Sequence, residues 1–314
     1  MSIILPTPSA PLRIGTRGSP LALAQAYETR QRLVNAFELP PEAFEIVVIK
    51  TTGDRVLDRP LKEIGGKGLF TREIEDDMLS GKIDIAVHSM KDMPVQQPDG
   101  LTLDTYLPRE DVRDAFVSPN FKTLSDLPAG TVVGTSSLRR NAQLMNKRPD
   151  LDVVEFRGNV QTRLKKLEDG VAACTFLAQA GLNRLDMAHV AQSAISVEDM
   201  LPAVAQGAIG IERRIDDMRA AEMLAAIHHG QTGQRLAAER AFLSALDGSC
   251  ETPIAGLAEL DNGTLRLRGE VLRPDGSETI GDDRICPIED GAKLGTEMAQ
   301  SLLSQAGHDF FSWR

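Results

Sequence analysis

Residues 13–25 read RIGTRGSPLALAQ, and residues 132–144 read VVGTSSLRRNAQL. Each runs from a short apolar stretch through Gly-Thr and a polar pair into a segment that reaches Ala-Gln, and each has a serine, Ser19 or Ser137, suited to cap a helix. In the first copy Ser19 is followed by Pro20, a good first-turn residue. The echo predicts two similar α/β lobes, each aiming a helix N-terminus at a shared cleft.

The flanking sequence extends the alternation. LRIGT (12–16) predicts a strand, and Leu23, Tyr27, Arg30, Val34 and Phe37 then recur at helical spacing, with Arg30 at the solvent edge. EIVVIKTT (45–52) is β-rich. LFTREIEDDMLSGK (69–82) places Phe70, Ile74 and Met78 on one helical face and stops at Gly81, and IDIAVHS (83–89) is a buried strand. LDVVEF (151–156), GNVQTRLKKLEDG (158–170) and AACTFLA (172–178) repeat strand, helix, strand after the second copy. Strands alternating with helices imply parallel or mixed sheets covered on both faces. The tail differs: residues 254–283 alternate polar and apolar around Asn262-Gly263 and Asp275-Gly276, a meander. Residues 292–307 read as an amphipathic helix, which makes a small α+β third domain.

Bulk properties narrow the function classes. At 314 residues the chain is expected to hold two or three domains. A net charge of -10 argues against sequence-independent nucleic-acid binding, which needs a broad basic surface. No apolar run is long enough to span a bilayer, and the N-terminal apolar patch is too short and proline-broken for a signal peptide. Three cysteines without tandem spacing argue against a disulfide framework or a structural zinc site, so a reducing cytoplasm is expected. No His/Cys/Asp spacing suggests a metal.

Arg17, Arg139, Arg140 and Arg157 each follow the end of an apolar β-type run, with Arg163 further along the next helix. Ligands of open α/β sheets bind at the carboxyl ends of strands, and arginine offers a carboxylate two parallel donors. Five such arginines point to a ligand with several carboxylates; taken singly, each also reads as a solvated surface residue. GGKGLF (65–70) lacks the Ser or Thr of a phosphate loop. It reads as a flexible lid with Lys67 reaching inward, or as a purely structural loop. In HSMKDMP (88–94), Asp92 beside Lys91 is an acid/base or cation-stabilising carboxylate, or a solvated turn, and His88 reads as a core or edge histidine. Cys250, in LDGSCETPIAG (246–256), has three readings: an inert thiol, a nucleophile, or a covalent attachment point.

GTRGSPLALAQ, GGKGLFTRE, IDIAVHSMKDMP, PREDVRDAFVS, AGTVVGTSSLRRNAQL, RGNVQTRLKKL, LPAVAQGAIGIE and AERAFLSALDGSCETPI resemble, in that order, the porphobilinogen deaminase (hydroxymethylbilane synthase) family. The resemblance runs from about residue 12 to beyond 255. It implies two lobes like those of type II periplasmic binding proteins, the second inserted into the first, plus the α+β third domain. On that pattern residues 12–107 and 207–228 form domain 1, 112–201 domain 2 and 230–314 domain 3. It also implies a transferase of haem and tetrapyrrole biosynthesis. Such an enzyme condenses four porphobilinogen molecules, with loss of ammonia, onto a dipyrromethane primer and then hydrolyses off hydroxymethylbilane. Cys250 matches the cysteine that holds the dipyrromethane cofactor through a thioether, and Asp92 matches the catalytic aspartate. Lys91, Ser19, Thr135, Ser137, Arg139, Arg140 and Arg163 match cofactor contacts. Arg17, Ser136, Arg157, Lys67, Gln25 and Gln206 match substrate contacts. The family further implies a cytoplasmic monomer with no nucleic-acid or membrane partner.

The chain departs from that pattern at Glu63, where many members have lysine, at Ala173, where aspartate is usual, and at Ala205, where glycine is common. None touches Asp92, Cys250 or the five arginines. A non-catalytic carboxylate sensor would share the lobes and the arginines, but would have no use for the third domain and its cysteine. A degenerate paralogue is the third reading.

Overall fold

The computed structural model describes residues 4–55, 71–248, 252–307 and 310–311. Lys62, Glu63, Lys67, Phe70 and Cys250 lie outside the described residues, and with them the expectations for a lid and for the loop thiol. The chain divides into two compact units, Met1–Arg109 with Ala208–Gly233 and Glu110–Gly207 with Gln234–Arg314.

In the first unit β1 (Leu12–Arg17), β2 (Phe44–Ile49), β3 (Ile85–Ser89), β4 (Leu101–Tyr106) and β10 (Ile209–Arg214) form one sheet in the order β2-β1-β3-β10-β4. The first three are mutually parallel, and β10 runs antiparallel to both β3 and β4. In the second unit β5 (Asp114–Val117), β6 (Val132–Gly134), β7 (Asp152–Val154), β8 (Cys174–Ala178) and β9 (Ser193–Ala194) form a sheet in the order β7-β6-β8-β5-β9. Here too three strands are parallel, and the fourth, β5, is antiparallel to its neighbours. Order and direction match position for position, with β1 and β6 in equivalent places. The echo in the sequence is therefore a repeat of the fold, and the two α/β lobes have the expected class.

The Gly-Thr step at the heart of the echo has a packing cause. A Cβ on Gly15 would lie 2.3 Å from Ile83 Cδ1, and one on Gly134 would lie 2.5 Å from the Phe156 ring. Each glycine lets a large apolar side chain close over its strand. In the first lobe the faces of β3 alternate with the two-residue period of a strand. Ile85 and Val87 pack with Leu12, Ile14, Phe44 and Leu33, while Ala86 packs with Ile74, Met78 and Ile83. In the helix Pro20–Phe37 the buried residues are Gln25, Ala26, Thr29 and Leu33; of the expected stripe Val34 and Phe37 pack against the core, while Tyr27 is exposed under a cation–π contact with Arg30. β4, β5, β9 and β10 add to the strands read from the sequence.

The second unit also holds β11 (Ile254–Asp261), β12 (Thr264–Leu272) and β13 (Thr279–Pro287), an antiparallel meander. Asn262 and Gly263, at φ 44° and 84°, make the tight turn. The helix Gly291–Gln305 buries Leu294, Met298 and Leu302. At Gly276 the next turn lies so close to the helix Leu138–Lys147 that a Cβ would meet the Asn146 nitrogen at 2.6 Å. Asn141 and Asn146 donate to the carbonyls of Pro274 and Gly276.

Ala205, one of the departures, sits at φ 61° with its N–H donated to Glu239 Oε2 at 2.6 Å. A left-handed alanine costs about 1–2 kcal/mol. Glycine would relieve that, but would lose a buried methyl worth about 0.8 kcal/mol and free the unfolded chain by about 0.4–1 kcal/mol. The terms offset, so Ala205→Gly is expected to move unfolding stability by less than about 1 kcal/mol. Chemical denaturation measures this; a change above about 2 kcal/mol in either direction contradicts it. Ala173 is half-buried just before β8, where its carbonyl accepts from the Ser118 hydroxyl. An aspartate side chain is not needed for that contact.

Candidate active site

Where β1 and β3 end, the first unit has a recess of about 80 Å³ lined by Arg17, Ser19, Gln25, Thr71, His88, Ser89 and Asp92, among others. Parallel strands place it. Arg17 closes β1 and Ser89 closes β3, and both face the carboxyl edge of the sheet, where α/β ligand sites form. Ser19 accepts the Ala22 N–H and caps the following helix, whose N-terminal dipole favours an anion. The Gln25 side-chain amide is held to the Ser89 hydroxyl at 2.8 Å. Lys91 and Asp92 lie on a short 3-10 turn, Met90–Asp92, pinned by the buried Met90 and by its N–H bond to the Ala208 carbonyl. Asp92 itself is exposed. The recess thus joins a guanidinium and a cap for an anion to a carboxylate for a cation. Of the expected site residues, Arg17, Ser19, Gln25 and Asp92 come together here, with Lys91 beside Asp92.

In the second unit the turn after β6 carries Thr135, Ser136 and Ser137. Thr135 Oγ1 accepts from the Ser137 N–H, Ser136 Oγ accepts from the Phe156 N–H, and Ser137 caps the helix Leu138–Lys147 by accepting from the Arg140 N–H. Arg157 pairs with Glu155 at 2.6 Å, and Arg163 Nε donates to the Gly158 carbonyl. Each retains ordinary surface partners.

Arg139, Arg140 and Gln206 share a partner inside the fold. All three turn inward onto Asp114, a fully buried carboxylate at the start of β5. Arg139 and Arg140 each donate to it at 2.7 Å, and Gln206 Nε2 donates at 2.9 Å. Their other guanidinium nitrogens reach the carbonyls of Leu201 and Phe176. The physical reason is charge: two buried guanidiniums need a countercharge in the chain itself. Burial pushes the Asp114 carboxyl up, but Arg139 and Arg140 more than reverse this and hold it well below the usual carboxylate range. Glu270 is a second carboxylate acting on Arg139, and among the described residues the Nε atoms of Arg139 and Arg140 have no hydrogen-bond acceptor. Asp114 escaped the sequence reading. It lies in the charged run PREDVRD (108–114), where nothing local sets it apart from Asp111.

Two thiols are described. Burial pushes Cys174 up to about 12 and also raises Cys286, which is further raised by Asp290 and Glu289. Both are poor nucleophiles near neutral pH. Among the described residues no cluster of His, Cys, Asp and Glu could hold a metal ion, and no helix is long and apolar enough to cross a membrane.

The described residues define a chain with two like α/β sheets, the first of which carries a recess that sets a guanidinium and a helix cap beside a carboxylate. The model of the porphobilinogen deaminase dipyromethane cofactor binding domain matches residues 12–222, and that of the porphobilinogen deaminase C-terminal domain matches residues 234–304. The chain is 68% identical over 309 residues to the porphobilinogen deaminase of Paracoccus denitrificans strain Pd 1222, covering 98% of this chain and 99% of the relative. It is 54% identical to the chloroplastic porphobilinogen deaminase of Pisum sativum, covering 97% and 84%. Among solved structures it is similar to a periplasmic substrate-binding protein of an ABC transporter from Coxiella burnetii, at 13% identity and a TM-score of 0.43, covering 70% and 93%. The chain belongs to the porphobilinogen deaminase family.

Proposed function

We propose that this chain is a hydroxymethylbilane synthase: it condenses four porphobilinogen molecules head to tail, releasing ammonia, and then frees the linear tetrapyrrole by hydrolysis. The observation that carries the proposal is the recess that joins Asp92 to Arg17, Ser19 and Gln25. Porphobilinogen brings an acetate and a propionate, together with an aminomethyl group whose loss leaves a cation. A site for it needs anion donors and a carboxylate side by side.

A dipyrromethane fits the donor set. Arg139 and Arg140 bring two guanidiniums to the one carboxylate that both bond, a cationic pair suited to an anionic group. Lys91, Ser19, Thr135, Ser137, Arg139, Arg140 and Arg163 would hold the group, with Cys250 as its thioether anchor. With Cys174 and Cys286 raised, a thiol that must attack an electrophile is best sought elsewhere in the chain. When bound, the dipyrromethane supplies a free pyrrole α-carbon as the priming nucleophile.

The remaining chemistry falls to the chain. Arg17, Ser136, Arg157, Lys67 and Gln206 bind substrate carboxylates and polar groups, and Gln25 orients the recess through Ser89. Asp92 accepts a pyrrole N–H and stabilises positive charge on the ring as ammonia departs. It also serves as a proton acceptor close to the reacting carbon. We further propose three domains, 12–107 with 207–228, 112–201 and 230–314, and a cytoplasmic monomer.

The intact mass of protein from a porphobilinogen-making host tests this. The wild type is expected to carry one extra dipyrromethane and Cys250→Ala none. An unmodified wild type that stays unmodified after incubation with porphobilinogen would indicate a sensor with the family's motifs.

A further inference from the structure

Behind the recess lies a buried polar pair. His88 on β3 lines the recess and is 6% exposed, and its Nε2 lies 3.0 Å from Oε2 of Glu212 on β10, which is fully buried. The sheet sets up this meeting between residues far apart in the chain. His88 is registered opposite Gly210, so no side chain intervenes, and Glu212 follows two residues along on the same face. The register of β10 against β4 slips between Ile211 and Glu212, the kind of irregularity that re-aims a side chain.

Glu212 is poorly satisfied for a buried carboxylate. Oε2 bonds to His88, while Oε1 has no partner among the described residues. Its neighbour Glu75, on the helix Arg72–Leu79, offers no countercharge. Burial pushes the Glu75 carboxyl up and the proximity of Glu212 raises it further, while Thr71 and His88 act in the opposite direction. A pair kept only for packing would be better replaced by apolar residues. An ionised carboxylate that binds one imidazole nitrogen instead fixes the proton on that nitrogen. An ionised Glu212 can only accept, and Nε2 then carries the hydrogen. Nδ1, on the opposite edge of the ring, keeps its lone pair and has no hydrogen-bond partner among the described residues.

We infer that His88 is a substrate-orienting residue whose Nδ1 accepts a hydrogen bond from the aminomethyl ammonium of the substrate, with Glu212 as the positioning residue that holds its tautomer. The inference rests on the reading of the recess as a porphobilinogen site. Arg17 and Ser19 would take a carboxylate of the substrate at one end and Asp92 its ring. His88 would fix the direction of the bond that must break. This acts on the ground state as much as on the transition state, so the effect belongs chiefly in KM.

Two substitutions separate the edges of the ring. His88→Gln keeps a donor for Glu212 but offers no acceptor at the Nδ1 position, whereas His88→Asn places an amide oxygen near that position and gives up Glu212. Intact mass first checks that wild type and variants all carry the primer; an unprimed, inactive wild type would refute the proposed function rather than this inference. In primed protein, His88→Gln is expected to raise KM for porphobilinogen roughly 10-fold or more, as for a lost hydrogen bond to a charged group. The rise for His88→Asn is expected to be several-fold smaller. Equal KM values in the two variants, or His88→Gln at the wild-type KM, overturn the inference. Independently of turnover, ¹⁵N spectra of histidine-labelled wild type at neutral pH should show His88 as the neutral Nε2–H tautomer. An imidazolium or an Nδ1–H tautomer would also overturn it.

Discussion

Asp92→Asn is expected to keep the mass of the bound primer and to lose kcat by roughly 10²–10³-fold, the usual cost of removing one preorganised electrostatic group. The side chain keeps its size and its place on a turn pinned by Met90, so the recess should survive. Asparagine still presents an oxygen to a pyrrole N–H. It lacks the charge that opposes a developing cation, and its amide is no proton acceptor. KM should change far less than kcat, because Arg17, Ser19 and Gln25 remain to bind substrate. Steady-state kinetics together with intact mass decide the matter. Turnover within a few-fold of wild type would remove Asp92 from the chemistry, and loss of the primer would make it a residue of assembly instead.

Asp114→Asn should have the largest effect on folding. The carboxylate is fully buried and is the shared partner of Arg139 and Arg140, so removing its charge strands two guanidiniums in the interior. Breaking a buried ion pair from one side costs about 3–5 kcal/mol. The loss should be specific to the second unit, where Gln206 and the carbonyls of Leu201 and Phe176 depend on the same cluster. The sign of the pH effect follows from the depressed Asp114 pKa. Its contribution is fully present above the ordinary carboxylate range and declines as pH falls below that range toward the folded-state value. Wild type should therefore lose stability steeply on acidification, and Asp114→Asn should lose less over the same interval. Denaturation curves at several pH values measure both slopes; parallel slopes would show that the cluster does not govern acid stability.

Some of the site was legible because it is local. A strand that ends in Arg17, a cap at Ser19 and a Lys91-Asp92 step after IDIAVHS are contiguous patterns, and strand ends in α/β sheets are where such residues act. The cluster around Asp114 was not legible for a comparable reason. Asp111, Asp114 and the intervening arginine look like one solvated run, yet Asp111 pairs with Arg113 near the surface while Asp114 is fully buried. Nothing local separates them. The difference arises because β5 enters its sheet antiparallel between β8 and β9. His88 and Glu212 are a second case, since their pairing depends on β10 returning beside β3 from more than a hundred residues away.

The sequence by itself determined the α/β class, the duplicated strand-to-helix turn and the likeness to the deaminase family, since periodicity, capping and long ordered motifs are written along the chain. It also marked Asp92 and the ends of strands as the place to look. Only the tertiary structure decided which arginines face outward and which close on a buried carboxylate. Only the tertiary structure set an imidazole between Glu212 and the recess. Desolvation is the reason: the worth of a charge depends on what is buried around it, and burial is fixed by strand order, which no local pattern records.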